Sequence, residues 1–228
     1  MMTGGNGGSR PVIVELVGPA GAGKSALADR LLARRDVVRA SVWNLPWALL
    51  LESTLRSASL LVRLCVATRS LPHQDLKQIV RLNALRLFVR RRVAGARFVV
   101  LDEGPVFALS WLRVFGHPRL QTIRAEAWWR RTYAVWAGVL DRLVLLDAPE
   151  PVLTSRIRGR HKPADVFRQL TDREISDLVA RYRTAFVRVL DGFAHAGGPQ
   201  PVTLATAETT TDGLDEAVMA LLVERPHG

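Results

Sequence analysis

A glycine-rich loop between an apolar run and a helix-forming run constrains the fold of this chain more than any other feature. The apolar run, residues 11–17, has four Val/Ile residues and the composition of a strand buried on both faces. The loop Gly-Pro-Ala-Gly-Ala-Gly-Lys-Ser occupies residues 18–25, and the alanine- and leucine-rich residues 25–35 favour a helix. Two glycines around four residues, followed by Lys and Ser, are the Walker A pattern of a phosphate-binding loop, or P-loop.

The residue types of this loop suit the phosphate chain of a nucleotide. Its glycines let successive backbone N–H groups point inward, and the following helix adds its positive N-terminal end. Lys24 would contact the β- and γ-phosphates, and Ser25 would hold Mg²⁺. A glycine-rich turn without function is the alternative, but strand, full motif and helix coincide here. We therefore predict that nucleotide binding involves Gly18, Pro19, Ala20, Gly21, Ala22, Gly23, Lys24, Ser25 and Ala26.

The length and composition fit one folded domain. The chain has 228 residues, of which 48% are hydrophobic and 23% charged, as in ordinary globular proteins. We expect a flexible leader over residues 1–10, without a signal peptide, and a single domain over residues 11–228. The only cysteine, Cys65, has no internal disulfide partner, which favours a reducing cytoplasm.

The most apolar region, residues 42–68, is not expected to cross a membrane. Glu52, Arg56 and Arg63 interrupt it before the run of about 18 uncharged residues that a membrane-spanning helix needs. The net charge of the chain is +11, and residues 56–97 hold ten Lys/Arg and one acid, a local charge of +9. This basic block could attract a phosphorylated substrate, nucleic acid or an anionic membrane surface, and charge alone does not separate these.

Apolar runs and helical segments alternate along the rest of the chain. This order predicts a five-stranded parallel sheet covered on both faces, an α/β fold with three layers (α/β/α), and ligands outside the carboxyl ends of the strands. In the predicted helix 118–140, Trp129, Tyr133 and Trp136 share one face, which favours a core stripe over a base-stacking platform. The further strands are predicted at 37–42, 97–102, 142–147 and 201–205, and the further helices at 46–68, 75–92, 105–115, 151–157, 171–194 and 212–224.

Two acids end the third predicted strand, beside the phosphate-binding loop. Phosphoryl transfer needs a carboxylate for the metal or for the acceptor hydroxyl. We expect Asp102 to hold Mg²⁺, partly through water, and Glu103 to orient or deprotonate an acceptor. The alternative for Glu103 is a helix N-cap, because an acid before Gly-Pro suits a helix start.

A basic connector follows the fourth predicted strand and its helix. Arg156, Arg158, Arg160 and Lys162 lie within seven residues. A solvated basic turn is one interpretation. The position beyond the carboxyl edge of the sheet favours a lid over about residues 156–165, whose arginines close on the phosphates.

Together these segments resemble the P-loop kinases of the thymidylate kinase and deoxynucleoside kinase type. The similar parts are the phosphate-binding loop, the strand end at Asp102, residues 145–151 with 156–160, and residues 202–205 before a helix. The resemblance implies a P-loop NTPase fold, ATP and Mg²⁺ as cofactors, Arg156 and Arg160 as lid arginines, and residues 206–211 near the base. The family's acceptor-binding arginine falls close to Arg81.

The chain departs from that family on the acceptor side. No arginine follows Asp102-Glu103, and Trp43 with its neighbours up to Trp47 stands where the family has an acid. Trp43 or Trp47 could stack on a base or sugar, although a core role is the alternative that we favour. The region 43–95 is then a helical insertion on the acceptor side.

Three classes of function fit these features. The leading one is an enzyme, a kinase that moves the γ-phosphoryl group of ATP to a nucleotide, a nucleoside or another small acceptor. A P-loop ATPase is the second, because Asp102-Glu103 also fits a metal-binding aspartate followed by a water-activating glutamate. The third is a nucleotide-switched binding module that uses the basic block. A homodimer is a further expected form of the chain, and no Asn-Lys-x-Asp motif indicates guanine specificity.

Overall fold

A five-stranded parallel sheet forms the centre of the computed structural model, which describes residues 10–92, 96–159, 166–209 and 211–223. The strand order is β2-β3-β1-β4-β5, and every pairing is parallel. This confirms the predicted α/β fold. The strands are β1 (Val12–Val17), β2 (Val37–Ala40), β3 (Phe98–Asp102), β4 (Arg142–Asp147) and β5 (Pro201–Ala205).

Helices cover both faces of the sheet, close to the predicted positions. A capping box at Thr171 begins the longest of them, with the Thr171 and Glu174 side chains each bonded to the other's backbone N–H. The helices are α1 (Lys24–Leu32), α2 (Trp47–Thr68), α3 (His73–Arg92), α4 (Pro105–Phe115), α5 (Glu126–Ala137), α6 (Glu150–Arg158), α7 (Asp172–His195) and α8 (Thr211–Val223).

The helix predicted over 118–140 was wrong in its first third. Two 3₁₀ turns, Pro118–Gln121 and Ile123–Ala125, precede α5. The indole N–H of Trp129 donates to the Leu120 carbonyl oxygen (2.7 Å), so a side chain of α5 provides the hydrogen bond for this carbonyl group of the first 3₁₀ turn. The aromatic stripe itself is confirmed as core, because Trp129, Tyr133 and Trp136 are buried.

The alternation of side chains along the strands divides the core into two layers. Ile13 and Val17 of β1 face the layer built with α2, α3, α4, α5 and part of α7. Val14 and Leu16 face the layer built with α1, α6 and α8. Asp102 is two residues after Val100 and therefore lies on the α1 side of the sheet.

Register brings the predicted site residues to one edge of the sheet. Leu16 pairs with Asp102 and Val17 with Leu145, so the loop after β1 lies between the ends of β3 and β4. No described helix is long and apolar enough to cross a membrane.

Candidate nucleotide and acceptor site

The phosphate-binding loop depends on glycine at positions where the backbone turns to positive φ. Gly18, Gly21 and Gly23 have φ of 148°, 86° and 91°. A Cβ on Gly18 would lie 2.1 Å from the Leu146 carbonyl oxygen, and one on Gly21 would lie 2.8 Å from the Leu153 carbonyl oxygen. The loop can therefore pack against β4 and α6 only without side chains at these two positions.

Lys24 and Ser25 stand in the first turn of α1, immediately after this loop. The Lys24 ammonium donates to the carbonyl oxygens of Gly18 (2.7 Å) and Pro19 (2.9 Å), so it lies over the loop. Ser25 is exposed and faces the cavity described next. Both side chains therefore lie at the loop and its cavity, and their phosphate and Mg²⁺ contacts stay predictions.

A cavity of about 380 Å³ opens at this loop. Arg156, in the last turn of α6, forms part of its wall and donates to Thr206 through both terminal nitrogens, at 3.0 Å to Oγ1 and 2.6 Å to the carbonyl oxygen. The predicted base-side segment 206–211 contributes Thr206 and Thr209, and residue 210 lies outside the described residues. The lining comprises Gly21, Ala22, Gly23, Lys24, Ser25, Ala26, Arg156, Thr206, Thr209 and Leu214.

Asp102 is a buried acid at the end of β3, with 3% of its surface exposed. One carboxylate oxygen accepts from Arg39 of β2, which also binds Asp29 of α1 (2.6 Å). The other oxygen, Oδ1, has no hydrogen-bond partner among the described residues. A buried carboxylate oxygen that accepts no hydrogen bond can bind a hard cation such as Mg²⁺, and a serine hydroxyl is a suitable second oxygen ligand. Ser25 and Asp102 are therefore the residues that would hold it.

Glu15, in the middle of β1, is a fully buried acid that sequence reasoning missed. Its carboxylate accepts from the backbone N–H groups of Val106 and Phe107, each at 3.0 Å, at the start of α4. Burial raises the pKa of Glu15 to about 8, and these N–H groups with that of Gly104 limit the rise. The contact fixes the turn that follows Asp102. The only sequence signal was an acid in an otherwise apolar strand.

Glu103 occupies this turn in a left-handed conformation, with φ of 62°, which is uncommon for residues other than glycine and concentrates at functional sites. Its carboxylate is 3.5 Å from the Ser41 hydroxyl, and its carbonyl oxygen accepts from the N–H of Val42 (3.2 Å). Burial, and secondarily the charge of Glu103, raises the pKa of Tyr182 in α7. The Glu103 carboxylate therefore lies between the end of β2 and α7.

Trp43 and Arg81, the two residues predicted to contact the substrate, contact each other. The Arg81 guanidinium carbon is 4.4 Å from the centre of the Trp43 ring, a cation–π distance. The backbone N–H of Trp43 donates to Ser41 Oγ (3.2 Å), and Ser41 in turn contacts Glu103. Partial burial lowers the pKa of Arg81. The favoured core role of the tryptophans was wrong, since Trp43 is 41% and Trp47 76% exposed.

Residues 13–185, three quarters of the chain, match the AAA domain family. The chain belongs to this family. Its geometry also resembles two solved kinases. Thymidylate kinase from Candida albicans has a TM-score of 0.54 and 10% identity, covering 93% of this chain and 91% of that one. Deoxyadenosine kinase from M. mycoides, solved with products dCMP and a flexible dCDP bound, has a TM-score of 0.52 and 14% identity, covering 92% and 98%.

These likenesses show the fold of the AAA domain protein to be that of a nucleoside or nucleotide kinase-like P-loop NTPase. No curated protein matches its sequence.

The basic connector of this AAA domain protein divides between two roles. Arg158 binds Asp172 (2.8 Å) and the Leu170 carbonyl oxygen (2.5 Å), which anchors α6 to the start of α7. Both Arg156 and Arg158 belong to α6, so the first residues of the predicted lid 156–165 are helical. Arg160 and Lys162 lie outside the described residues, and the lid arginine at 160 stays a prediction. The expected homodimer also stays a prediction.

Proposed function

We propose that this protein is an ATP-dependent phosphotransferase that moves the γ-phosphoryl group of ATP to a nucleoside or nucleotide. The observation that carries the proposal is the position of Glu103, whose carboxylate lies beside Ser41 at the end of β2. Ser41 Oγ also accepts a hydrogen bond from the backbone N–H of Trp43, whose ring contacts Arg81. A general base on that side of the loop serves an acceptor hydroxyl or phosphate better than a water held against the phosphates of ATP.

The donor half of the proposed site is the cavity at the phosphate-binding loop. Backbone N–H groups of the loop, the α1 N-terminus and Lys24 would hold the phosphate chain, and Arg156 would neutralise charge on the moving phosphoryl group. The base would lie toward Thr206 and Thr209. Ser25 and Asp102 would hold Mg²⁺, which when bound would offset part of the negative charge of the phosphates.

The acceptor half uses Glu103, Trp43 and Arg81. Glu103 would accept the proton of an acceptor hydroxyl or orient a phosphate acceptor. Arg81, held over the Trp43 ring, offers a fixed guanidinium fork of the kind that binds a phosphate oxygen pair. Because no arginine follows Glu103 and no acid follows β2, we do not restrict the acceptor to thymidylate.

Three further expectations belong to this proposal. A cytoplasmic location follows from the single cysteine, Cys65, which is free. The acceptor is a small molecule, and the family resemblance implies ATP as the donor.

The experiment that tests the proposal separates the two acids. Asp102→Asn should abolish turnover at saturating Mg²⁺, because it alters the carboxylate that would hold the metal. Glu103→Gln should lower acceptor phosphorylation by roughly 10²–10⁴-fold, the size of general-base effects, and leave acceptor-independent ADP release unchanged. Glu216→Gln, an exposed acid on α8, is the matched control and should behave as the parent.

Steady-state ADP release with and without acceptor gives both rates. An equal, complete loss of acceptor-independent hydrolysis in Glu103→Gln would contradict the kinase proposal. It would assign Glu103 to a water and the protein to the P-loop ATPases.

A further inference from the structure

A second cavity, of about 390 Å³, lies between α2, α3 and α5. It shares no lining residue with the cavity at the phosphate-binding loop. Its wall extends along α5 and reaches the last turns of α3 and α5, which precede β3 and β4 in the chain. Its lining comprises Ser53, Arg56, Ser57, Ser59, Leu60, Arg63, Asn83, Arg86, Leu87, Arg90, Trp128, Arg131, Thr132, Val135 and Trp136.

Five arginines from three helices line this cavity, and no acid does. Arg56 pairs with Glu52 one turn earlier (2.8 Å). The other four, Arg63, Arg86, Arg90 and Arg131, have no ion-pair partner within the described ranges. Burial, followed by the charges of Arg90 and Arg131, lowers the pKa of Arg86. The arginines therefore repel one another across a concave surface, which costs folding free energy unless an anion offsets it.

The remaining lining groups suit an anion with several oxygen atoms. The Asn83 amide donates to Ser57 Oγ (2.9 Å), which fixes both side chains in the wall. Ser59 adds a hydroxyl group, and the buried Trp128 forms part of the floor. The Thr132 hydroxyl donates to the Trp128 carbonyl oxygen (2.7 Å), so it has no proton to offer an anion. Arginine forks with neighbouring hydroxyl and amide groups are the usual protein ligands of phosphate.

We propose that this cavity binds a small anion carrying two or more phosphate groups, at a site separate from the donor nucleotide. Its volume matches that of the cavity at the phosphate-binding loop, whereas one phosphate is too small to contact arginines from three helices. A concave site with a tryptophan floor fits a small ligand better than a flat membrane surface. The proposal gives the basic block 56–97 a small anionic ligand. Arg131 of α5 lies outside that block in sequence but lines the same cavity.

Inorganic pyrophosphate is the probe, measured by calorimetric titration and thermal unfolding against sodium chloride of equal ionic strength. A Lys24→Ala background weakens competing binding at the phosphate-binding loop. We expect saturable binding and a raised Tm. Arg86→Gln/Arg131→Gln should weaken this binding at least about tenfold, because charged hydrogen bonds on two sides are removed.

The matched control is Lys77→Gln/Arg130→Gln, which removes the same charge from the same two helices through exposed residues outside the cavity. Its affinity should stay within about twofold of the parent, since only screened long-range attraction is lost. Equal weakening in both double variants, or no saturable pyrophosphate binding, would overturn the proposal. Binding only to vesicles of anionic lipid would overturn it as well.

Thermal unfolding at low salt without pyrophosphate gives an independent readout. If the arginines repel one another, Arg86→Gln/Arg131→Gln should unfold at or above the parent's Tm. A clearly lower Tm would assign them a structural role instead and contradict the proposal.

Discussion

The buried Glu15 predicts an unusual dependence of stability on pH. Its pKa is raised from 4.5 to about 8, chiefly by burial. Between these values the folded chain keeps a proton that the unfolded chain has lost, so the free energy of unfolding falls as pH rises. Below pH 4.5 Glu15 is protonated in both states, so its ionisation does not affect stability. Above about pH 8 the loss of unfolding free energy is complete. The difference corresponds to about 5 kcal/mol in total.

Replacing this group should remove the slope. From pH 5.5 to 8 the free energy of unfolding of the parent should fall by about 3 kcal/mol more than that of Glu15→Gln. For a chain of this size, this corresponds to a fall in Tm that is larger by about 6–12 °C. Glutamine also places an amide N–H against the N–H of Val106 or Phe107 and should cost about 1–3 kcal/mol at every pH. That offset does not affect the slope.

Urea unfolding at several pH values measures both quantities, with the exposed Glu216→Gln as the control that keeps the parent's slope. Parallel curves for the parent and Glu15→Gln would refute the reasoning. They would mean that the α4 N-terminus keeps the Glu15 carboxylate ionised throughout this range.

Two further predictions concern the donor cavity. Arg156→Ala should lower kcat by on the order of a hundredfold or more and lower the Tm through the lost bonds to Thr206. The control, Arg158→Ala, loses only the bonds that anchor α6 to α7 and should keep a near-parental kcat in steady-state assays. Equal losses of kcat in the two variants would contradict the role of Arg156. In urea unfolding, Gly18→Ala should destabilise the chain more than Gly23→Ala. A Cβ at position 18 would lie 2.1 Å from the Leu146 carbonyl oxygen, whereas a Cβ at position 23 would have no atom within 4 Å. Gly23→Ala should lower the free energy of unfolding by about 1–2 kcal/mol from its positive φ alone, and equal losses in the two variants would refute the close packing of the loop.

The sheet and the donor side were predictable because their signals are local. The strands are short apolar runs buried on both faces, and the Lys24 loop is a contiguous motif whose spacing reflects direct backbone contact with phosphate. The capping box at Thr171 also needs only residues within one turn. Helix ends set by distant partners were less predictable, as at the 3₁₀ turns held by Trp129.

The rest of the site depends on pairs that are far apart in sequence. Glu15 bonds to Val106 across 91 positions, and Asp102 pairs with Arg39 across 63. Neither pairing has a spacing pattern that a single sequence can reveal. The exposure of Trp43 had the same cause, since Arg81 of α3 rather than the core covers one face of its ring.

Acceptor-dependent ADP release tests the central claim most directly. The parent and Lys24→Ala would be assayed with ATP, Mg²⁺ and a panel of nucleosides, nucleotides, sugars and aminoglycosides. We predict that a nucleoside or nucleotide raises ADP release by the parent and is itself phosphorylated in equal amount. Lys24→Ala should keep the circular dichroism spectrum of the parent and have neither activity. Phosphate release at the same rate with and without every acceptor, or turnover by Lys24→Ala equal to the parent, would contradict the account.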